Sequence, residues 1–237
     1  MIYGKAHAPP RITWGVFFVL FRAWAGLVLL GLAGCAADPD SQALPRTLHY
    51  FFSSQKTGVL QQSLSPRYRY LYVTASFGGA FLLVEGAKES DPAGAVDVWY
   101  SADGEVLKLQ HGQVVGTAGL PVDWRRVRWS ALPDWSLLQK HPGQFERTRD
   151  QMPGYRDGFE ERITVRRIDP PTKSALKDID PATLVWFEER AVPVTPNQPF
   201  LPPARVAVRF QPGPEAVYGE QCLALDFCLT WQSWPVR

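Results

Sequence analysis

The sequence has few cysteines and histidines and none of the common catalytic motifs. Of its 237 residues, three are cysteine and four are histidine. The cysteines lack the paired ligand spacing of a zinc or redox site. No Gly-x-Ser-x-Gly elbow, His-Glu-x-x-His pair, phosphate loop or dinucleotide fingerprint occurs. We therefore expect a protein that is not an enzyme and that uses no metal or soluble cofactor.

Carboxylates that could act together on one substrate are also missing from the pattern. Glu160-Glu161 and Glu188-Glu189 are adjacent pairs on predicted strands. Neighbouring residues of a strand point to opposite faces, so the two members of one pair cannot flank a sugar as glycosidase carboxylates do. We interpret both pairs as solvated strand faces.

The chain has no excess of charge of one sign. It contains 25 Lys and Arg against 23 Asp and Glu, a formal net charge of +2. Lys5, Arg11 and Arg22 precede the first acidic residue, Asp38, and removing those three bases leaves 22 basic residues against 23 acidic ones. A domain this close to neutral offers no electrostatic reason to expect a nucleic-acid partner.

Only one stretch is strongly apolar, and it lies near the N-terminus. Residues 23–32 follow the three basic residues and lead into the small residues Ala33 and Gly34. A basic flank, a short apolar core and a small-residue exit are typical of a secretory signal peptide. A membrane-spanning helix needs roughly 20 apolar residues. Extending the stretch back to Trp14 would place Arg22 inside it, at a cost of about 2.5–3.5 kcal/mol for insertion, so we prefer the signal peptide.

The motif Leu32-Ala33-Gly34-Cys35 has the pattern of a bacterial lipobox. We expect cleavage between Gly34 and Cys35, with a covalent diacylglycerol and an acyl chain on Cys35. Two or more acyl chains anchor a protein stably, whereas one does not. The alternatives are an ordinary signal peptide and an uncleaved anchor. Ala36, where Asp would signal retention in enterobacterial-type sorting, favours the outer membrane, on its periplasmic face.

The rest of the chain alternates apolar and polar residues as strands do. The turns at Asp103-Gly104 and His111-Gly112 join three short strands into a predicted β-meander. We expect a mainly β fold, an antiparallel and strongly curved or barrel-like sheet with one or two short helices. The segments predicted are a signal peptide at 1–34, a lipidated tether at 35–44 and a single β-rich envelope domain at 45–237.

Within the envelope domain we predict helices at 45–55 and 135–141 and a polar, turn-rich stretch at 144–158. The predicted strands are 159–167, 183–192, 205–210 and a closing strand at 216–231, with a proline-rich connector at 193–203.

Cys222 and Cys228 lie on this predicted closing strand. On a straight strand they share a face but sit roughly 20 Å apart, whereas a disulfide needs Cα atoms within about 7 Å. An oxidising periplasm would favour pairing if the chain bent. The strand geometry predicts two separate thiols.

The densest basic and aromatic cluster is 124–129. Arginines could pair with carboxylates of an acidic polysaccharide while tryptophans stack on sugar faces. The alternative is a strand with Val127 and Trp129 inside and the arginine head groups outside. The candidate glycan or partner surface comprises Trp124, Arg125, Arg126, Arg128 and Trp129.

Two consecutive runs carry a resemblance to a known family. Trp99 to Gln110, WYSADGEVLKLQ, and His111 to Leu120, HGQVVGTAGL, resemble the core of the YjbF/GfcB family of group 4 capsule polysaccharide lipoproteins. Asp123-Trp124-Arg125, the strands upstream of Val84 and the lipobox are similar too, and the resemblance covers 68–128. It implies a β-barrel-like fold and a role in capsular or exopolysaccharide export, with export proteins or the polysaccharide as partners.

Three function classes follow. The first is a non-catalytic accessory lipoprotein of polysaccharide export or assembly, for which an exposed Trp, Tyr and Arg surface is expected. The second is a lipid or lipoprotein carrier, which needs a deep apolar cavity without a polar rim. The third is a cell-envelope hydrolase, which needs a groove with convergent carboxylates. The resemblance favours the first.

Overall fold

The computed structural model describes residues 64–76 and 78–236. The predicted signal peptide, Cys35, the tether and the 45–55 helix lie outside these residues. Within the described part of the chain, no helix combines the length and apolarity needed to cross a membrane.

Twelve antiparallel strands form one sheet that is nearly closed into a barrel. Its spatial order is β5-β4-β3-β2-β1-β12-β11-β10-β9-β8-β7-β6, so β1 pairs with β12 and the two edges are the consecutive strands β5 and β6. This confirms the predicted fold class. The strands are β1 (Tyr70–Ala75), β2 (Gly79–Asp91), β3 (Gly94–Tyr100), β4 (Val106–Gln110), β5 (Gln113–Ala118), β6 (Asp123–Trp129), β7 (Gly143–Met152), β8 (Arg156–Ile168), β9 (Val185–Pro193), β10 (Ala204–Arg209), β11 (Glu215–Ala224) and β12 (Phe227–Trp234).

The predicted meander of β3, β4 and β5 is present. The β4–β5 turn has positive φ at both central residues, 50° at His111 and 78° at Gly112. A two-residue turn of this kind matches the right-handed twist of the strands that it joins. Gly112 has a second requirement, because the Cβ of Ala216 on β11 occupies the space that a side chain would need. The turn is thus held against the opposite wall of the barrel.

The two edge strands, β5 and β6, meet at a seam that the Asp123 carboxylate bridges by hydrogen bonds. Asp123 accepts hydrogen bonds from the Thr117 hydroxyl (3.0 Å) and from the backbone N–H groups of Gly119 (3.1 Å) and Leu120 (3.2 Å). The Thr117 oxygen in turn accepts the backbone N–H of Trp124 at 3.0 Å. Asp123 and Thr117 are both buried, so these bonds hold the two edges together.

One short α-helix, α1 (Trp135–Leu138), lies between β6 and β7. Asp134 caps it, accepting the backbone N–H groups of Ser136 (2.9 Å) and Leu137 (3.2 Å). The helix is shorter than the predicted 135–141. Its buried Trp135 packs on Phe187 with ring centroids 4.9 Å apart. A 3-10 turn, Pro181–Thr183, precedes β9.

Two sequence-based predictions of strands are wrong. Residues 144–158, predicted to be polar and turn-rich, form β7 and the start of β8. The predicted closing strand 216–231 is two strands, β11 and β12, which reverse direction at Leu225 and Asp226. Leu225 is 61% exposed at the tip of this hairpin, although it continued the alternation of Leu223, Phe227 and Leu229.

The hairpin also overturns the prediction of two separate thiols. Cys222 on β11 and Cys228 on β12 are directly opposite register partners. They form a disulfide. The distance argument failed because it assumed a straight strand, and the chain turns between the two cysteines.

Large apolar side chains fill the concave side of the sheet. One core cluster is built around Trp99, Trp124 and Trp231, and another around Trp135, Ile163 and Phe187. A smaller cluster around Trp186 and Tyr218 lies on the convex side, packed against Leu176 and Ile179. On the convex side, Leu176 and Ile179 therefore cover the outward-facing aromatic side chains and shield them from water.

Candidate functional site

Four charged side chains are buried together on the concave side of β7, β8 and β9. This interior charge cluster comprises Arg147, Arg149, Glu161 and Glu189, each at most 3% exposed. Arg147 donates to Glu161 at 2.8 Å and to Glu189 at 2.6 Å. Arg149 donates to the other oxygen of Glu161 at 3.0 Å. Two cations and two carboxylates therefore neutralise one another inside the sheet.

Aromatic rings surround the two arginines. The Arg149 guanidinium lies 4.4 Å from the Trp124 ring and 5.0 Å from the Phe159 ring. Arg147 lies 4.8 Å from the Trp124 ring and 5.0 Å from the Trp129 ring. Stacking of this kind suits arginine, whose flat and weakly hydrated guanidinium is easier to bury than an ammonium group.

The two glutamates differ in their partners and in their pKa. Burial alone would raise the pKa of Glu161, but the charges and hydrogen bonds of Arg147 and Arg149 outweigh it and hold that pKa below its ordinary value. Burial raises the pKa of Glu189, and the single pairing with Arg147 does not offset it. Within the described ranges, one Glu189 oxygen has no hydrogen-bond partner, which agrees with this direction.

The sequence interpretation of these glutamates was half right. The members of each pair do point to opposite faces, since Glu160 is exposed and Glu161 is buried. The conclusion that all four are solvated is wrong for Glu188, which is 8% exposed and accepts from Arg166 and Arg190. It is also wrong for Glu161 and Glu189. Their side chains are enclosed by the stacked rings and paired with arginine, so they do not form an accessible carboxylate pair.

The candidate surface at 124–129 is divided between the two faces of β6. Trp124 is 0% exposed, and Trp129 packs on Phe145 with ring centroids 6.2 Å apart. Arg125, Arg126 and Arg128 are exposed on the convex side. The structure therefore does not bring all members of the predicted surface together, and the arrangement with arginine heads outside is the one observed.

Two of these arginines line a groove on the outside of the sheet. This outer groove has a volume of about 570 Å³ and is formed by β6, β7 and the turn into β8. Tyr155 at the tip of that turn is 85% exposed. Arg126 lies 3.6 Å from the Asp150 carboxylate, and Arg125 lies 3.6 Å from that of Asp123. The groove is lined by Arg125, Arg126, Asp150, Gln151, Met152, Tyr155, Arg156 and Asp157.

A second concavity, the mouth cleft, opens on the concave side near α1 and has a volume of about 650 Å³. Its lining mixes tryptophans with charged side chains from β2, β3, the start of β11 and the residues just before β1 and α1. No sequence signal identified it, because its residues come from distant parts of the chain. The residues that line it include Arg69, Lys88, Asp97, Trp99, His111, Gly112, Asp134, Trp135, Glu215, Ala216, Trp231 and Ser233.

Metal ligands are not grouped in the described part of the chain. No group of three or more His, Cys, Asp or Glu side chains there could hold a metal ion.

Comparison with known proteins gives a family and a fold. No curated protein matches the sequence. Among solved structures, the crystal structure of the hypothetical lipoprotein YmcC from Escherichia coli K12 matches with a TM-score of 0.54 and 14% sequence identity, over 78% of this chain and 94% of that one. At this identity the match shows a shared fold.

The family comparison extends well beyond the motifs at 68–128. The sequence model described as "Group 4 capsule polysaccharide lipoprotein gfcB, YjbF" matches residues 46–198. That span is more than half of the 237 residues and includes the strands β1 to β9. The chain therefore belongs to the YjbF/GfcB family of group 4 capsule polysaccharide lipoproteins.

Proposed function

We propose that this protein is an outer-membrane lipoprotein and a non-catalytic accessory in the export or assembly of a capsular polysaccharide or exopolysaccharide. The observation that carries the proposal is the family match over residues 46–198. The lipobox at Cys35 supports it, because a diacylglycerol and an acyl chain there would hold the domain at the membrane. Ala36 supports the outer membrane, with the domain on its periplasmic face.

The outer groove is the contact surface that fits this role best. Arg125, Arg126 and Arg156 present guanidinium groups beside the exposed Tyr155 ring. Guanidinium groups bind carboxylates and phosphates through paired, charge-assisted hydrogen bonds. An exposed tyrosine adds a flat apolar surface that suits a sugar ring or a partner protein. An acidic polymer or an acidic protein of the export machinery would contact both the guanidinium groups and the tyrosine ring.

The contacts count against the two other function classes. A lipid carrier needs an apolar cavity, but the mouth cleft is lined by Arg69, Lys88 and Asp97. A hydrolase needs free, convergent carboxylates. Asp97 lies 2.9 Å from the Lys88 ammonium and Asp134 caps α1, while the interior charge cluster is enclosed.

The test is to replace Arg125 and Arg126 of the outer groove, together with the neighbouring exposed Arg128, by alanine. We expect less surface polysaccharide at an unchanged protein level, because each lost charge-assisted contact weakens binding by about 1.5–3 kcal/mol. A matched control replaces three other exposed arginines, Arg67, Arg162 and Arg167, by alanine. The control should export normally.

Deletion of the gene separates the two parts of the proposal. If deletion leaves surface polysaccharide unchanged, the assignment to polysaccharide export is wrong and the carrier becomes the better hypothesis. If deletion lowers export while the Arg125, Arg126 and Arg128 variant is normal, the contact surface lies elsewhere on the protein.

A further inference from the structure

The mouth cleft continues into a neighbouring cleft. The second one has a volume of about 270 Å³ and shares Arg69, Trp99, Glu215 and Ser233 with the first. It extends past these residues to Tyr70, Ile179, Arg209 and Trp234. Two adjoining clefts with a common wall suit an elongated ligand better than a single compact one.

The wall around the β4–β5 turn is firmly held. Trp135 of α1 donates its indole N–H to the backbone carbonyl of His111 at 3.0 Å. On the other side of the turn, Gly112 packs directly against Ala216. Both fixed positions are in the cleft lining, so the cleft exists before any ligand arrives and a ligand need not order it.

The charged groups of the wall are also held in place by one another. Lys88 lies 2.9 Å from Asp97, and Arg69 lies 3.0 Å from Glu85 and 3.9 Å from Glu215. The Arg69 guanidinium stacks over the Trp99 ring at 5.4 Å. Ion pairs of this kind still offer donors and acceptors to a ligand, because each group has more hydrogen-bonding positions than it uses here.

The charges of the lining nearly cancel. The cations Arg69 and Lys88 stand against the carboxylates Asp97, Asp134 and Glu215, which gives a net charge of −1 with His111 counted as neutral. A lining with this balance gives no net attraction to a polyanion. It suits a ligand that carries many hydroxyl groups, since a hydroxyl both donates to carboxylates and accepts from cations.

One donor in the lining has no acceptor. The Trp99 indole N–H is buried without a hydrogen-bond partner among the residues that the structure describes, and Trp99 is in the lining of both clefts. A buried donor without a partner lowers stability, so its persistence calls for an explanation. A ligand hydroxyl that accepts from this N–H provides one.

We propose that the mouth cleft binds a short segment of a neutral, hydroxyl-rich glycan, at a site separate from the outer groove. The ligand class rests on the proposed function, which places the protein beside a polysaccharide. The paired charges of the wall bind the sugar hydroxyl groups, and the Trp99 indole N–H donates to one of them. Trp99, Trp135 and Trp231 are each at most 4% exposed and form the rigid base of the cleft. The outer groove binds acidic groups and the mouth cleft binds neutral sugars. The two sites therefore bind different parts of one polymer, or two different partners.

The test measures binding of purified full-length lipoprotein, in a detergent that carries no sugar, to an array of defined oligosaccharides. The array holds hexamers of glucose, mannose and galactose in their common linkages, together with oligogalacturonate. We expect binding to at least one neutral hexamer, with the same affinity at low and high salt because no net charge is involved. The absence of binding to every neutral hexamer would overturn the proposal.

Variants of the lining show where the sugar binds. Trp99→Phe keeps an aromatic ring and removes the N–H, and His111→Asn keeps a residue that tolerates the positive φ of the turn. Trp99→Phe should weaken neutral-glycan binding about two- to tenfold, as expected for one lost hydrogen bond. His111→Asn should also weaken it, because it shortens a side chain that lines the cleft. His111→Asn serves as the second probe if Trp99→Phe fails to fold.

A charge change in the cleft tests the basis of its selectivity. Asp97→Asn with Glu215→Gln raises the net charge of the lining from −1 to +1. This double variant should gain salt-sensitive binding to oligogalacturonate. Failure to gain it, or neutral-glycan binding that none of the cleft variants changes, would contradict the proposed site.

The failure of this inference is distinguishable from failure of the proposed function. Replacement of Arg125, Arg126 and Arg128 by alanine should leave binding to the neutral hexamers unchanged. If that variant lowers export while no neutral hexamer binds, only the mouth-cleft proposal is wrong. If a neutral hexamer binds in the cleft and gene deletion leaves polysaccharide unchanged, the export role is wrong.

Discussion

At the scale of single residues, the interior charge cluster shows how buried charges are tolerated within a sheet. Burying an isolated carboxylate is costly, and a buried ion pair repays that cost only when its geometry is good and its remaining groups are hydrogen-bonded. Glu161 meets this condition, since both of its oxygens accept from arginine and one also accepts from the Gln198 amide at 2.8 Å. Glu189 meets it less well, with one oxygen unpartnered.

We predict that Glu161→Gln lowers the free energy of unfolding by about 3–5 kcal/mol at neutral pH, because it leaves two buried arginines without their shared charge. The pKa of Glu161 is lower in the folded protein. Its contribution is therefore present above the ordinary glutamate pKa and is lost as pH falls through the folded value. Urea denaturation at neutral pH and at lower pH should show the difference between wild type and variant shrinking towards acid.

Glu160→Gln is the matched control, one residue away on the exposed face. It should change the stability by no more than about 0.5 kcal/mol at either pH. A similar loss in both variants, or a loss in Glu161→Gln that grows towards acid, would contradict the role assigned to the buried carboxylate.

Part of this cluster is predictable from sequence and part is not. Glu161 alternates with Phe159, Ile163 and Val165, which places it on the dry face and should have indicated a buried partner. Arg147 and Arg149 sit two apart in a polar stretch without an apolar periodicity, so nothing local identified them as interior residues. Their pairing depends on the register of β7 against β8, which the sequence does not specify.

At the scale of elements, turn chemistry decided which strands could be predicted. The Asp103-Gly104 and His111-Gly112 turns contain glycine at positive φ, and the meander that they define was correct. The β11–β12 hairpin turns at Leu225-Asp226 without glycine or proline, so its alternation was interpreted as one strand. The family match also ends at residue 198, before both of these strands.

The seam between β5 and β6 gives a prediction at this scale. Asp123→Ala removes the acceptor for Thr117, Gly119 and Leu120. We expect a loss of about 1–3 kcal/mol for buried donors left unpaired, with faster amide hydrogen exchange confined to β5 and β6. Hydrogen exchange followed by mass spectrometry measures both the rate and its location.

Asp169→Asn, on the exposed segment after β8, serves as the control and should leave exchange unchanged. If Asp123→Ala has the exchange pattern of wild type, the carboxylate does not hold the seam. If exchange rises equally in all strands, the residue supports the whole domain rather than the closure of its edges.

At the scale of the whole molecule, strand order explains why distant parts of the chain form one surface. The sheet runs from β5 back to β1, crosses to β12 and then returns to β6, so the first and last strands are neighbours. Alternation and turns were enough to predict a curved antiparallel sheet. They could not predict the β1–β12 pairing or the mouth cleft, because both join residues far apart in sequence.

Lipidation of Cys35 should decide whether the protein is attached to a membrane. Cys35→Ser removes the sulfur that lipidation requires, and we expect an unprocessed and unacylated chain that is lost from the outer-membrane fraction. Ala36→Asp should still be acylated but should move to the inner-membrane fraction if enterobacterial-type sorting applies. Mass spectrometry of the N-terminus and membrane fractionation give the two readouts.

The two variants separate anchoring from destination. A mature wild-type N-terminus other than Cys35, or one without acyl chains, would contradict the lipobox. If Ala36→Asp stays in the outer membrane while Cys35→Ser leaves it, the anchor is correct and the sorting rule does not apply to this protein. If Cys35→Ser is lost from the outer membrane and still restores polysaccharide export in a deletion strain, membrane attachment is not part of the function.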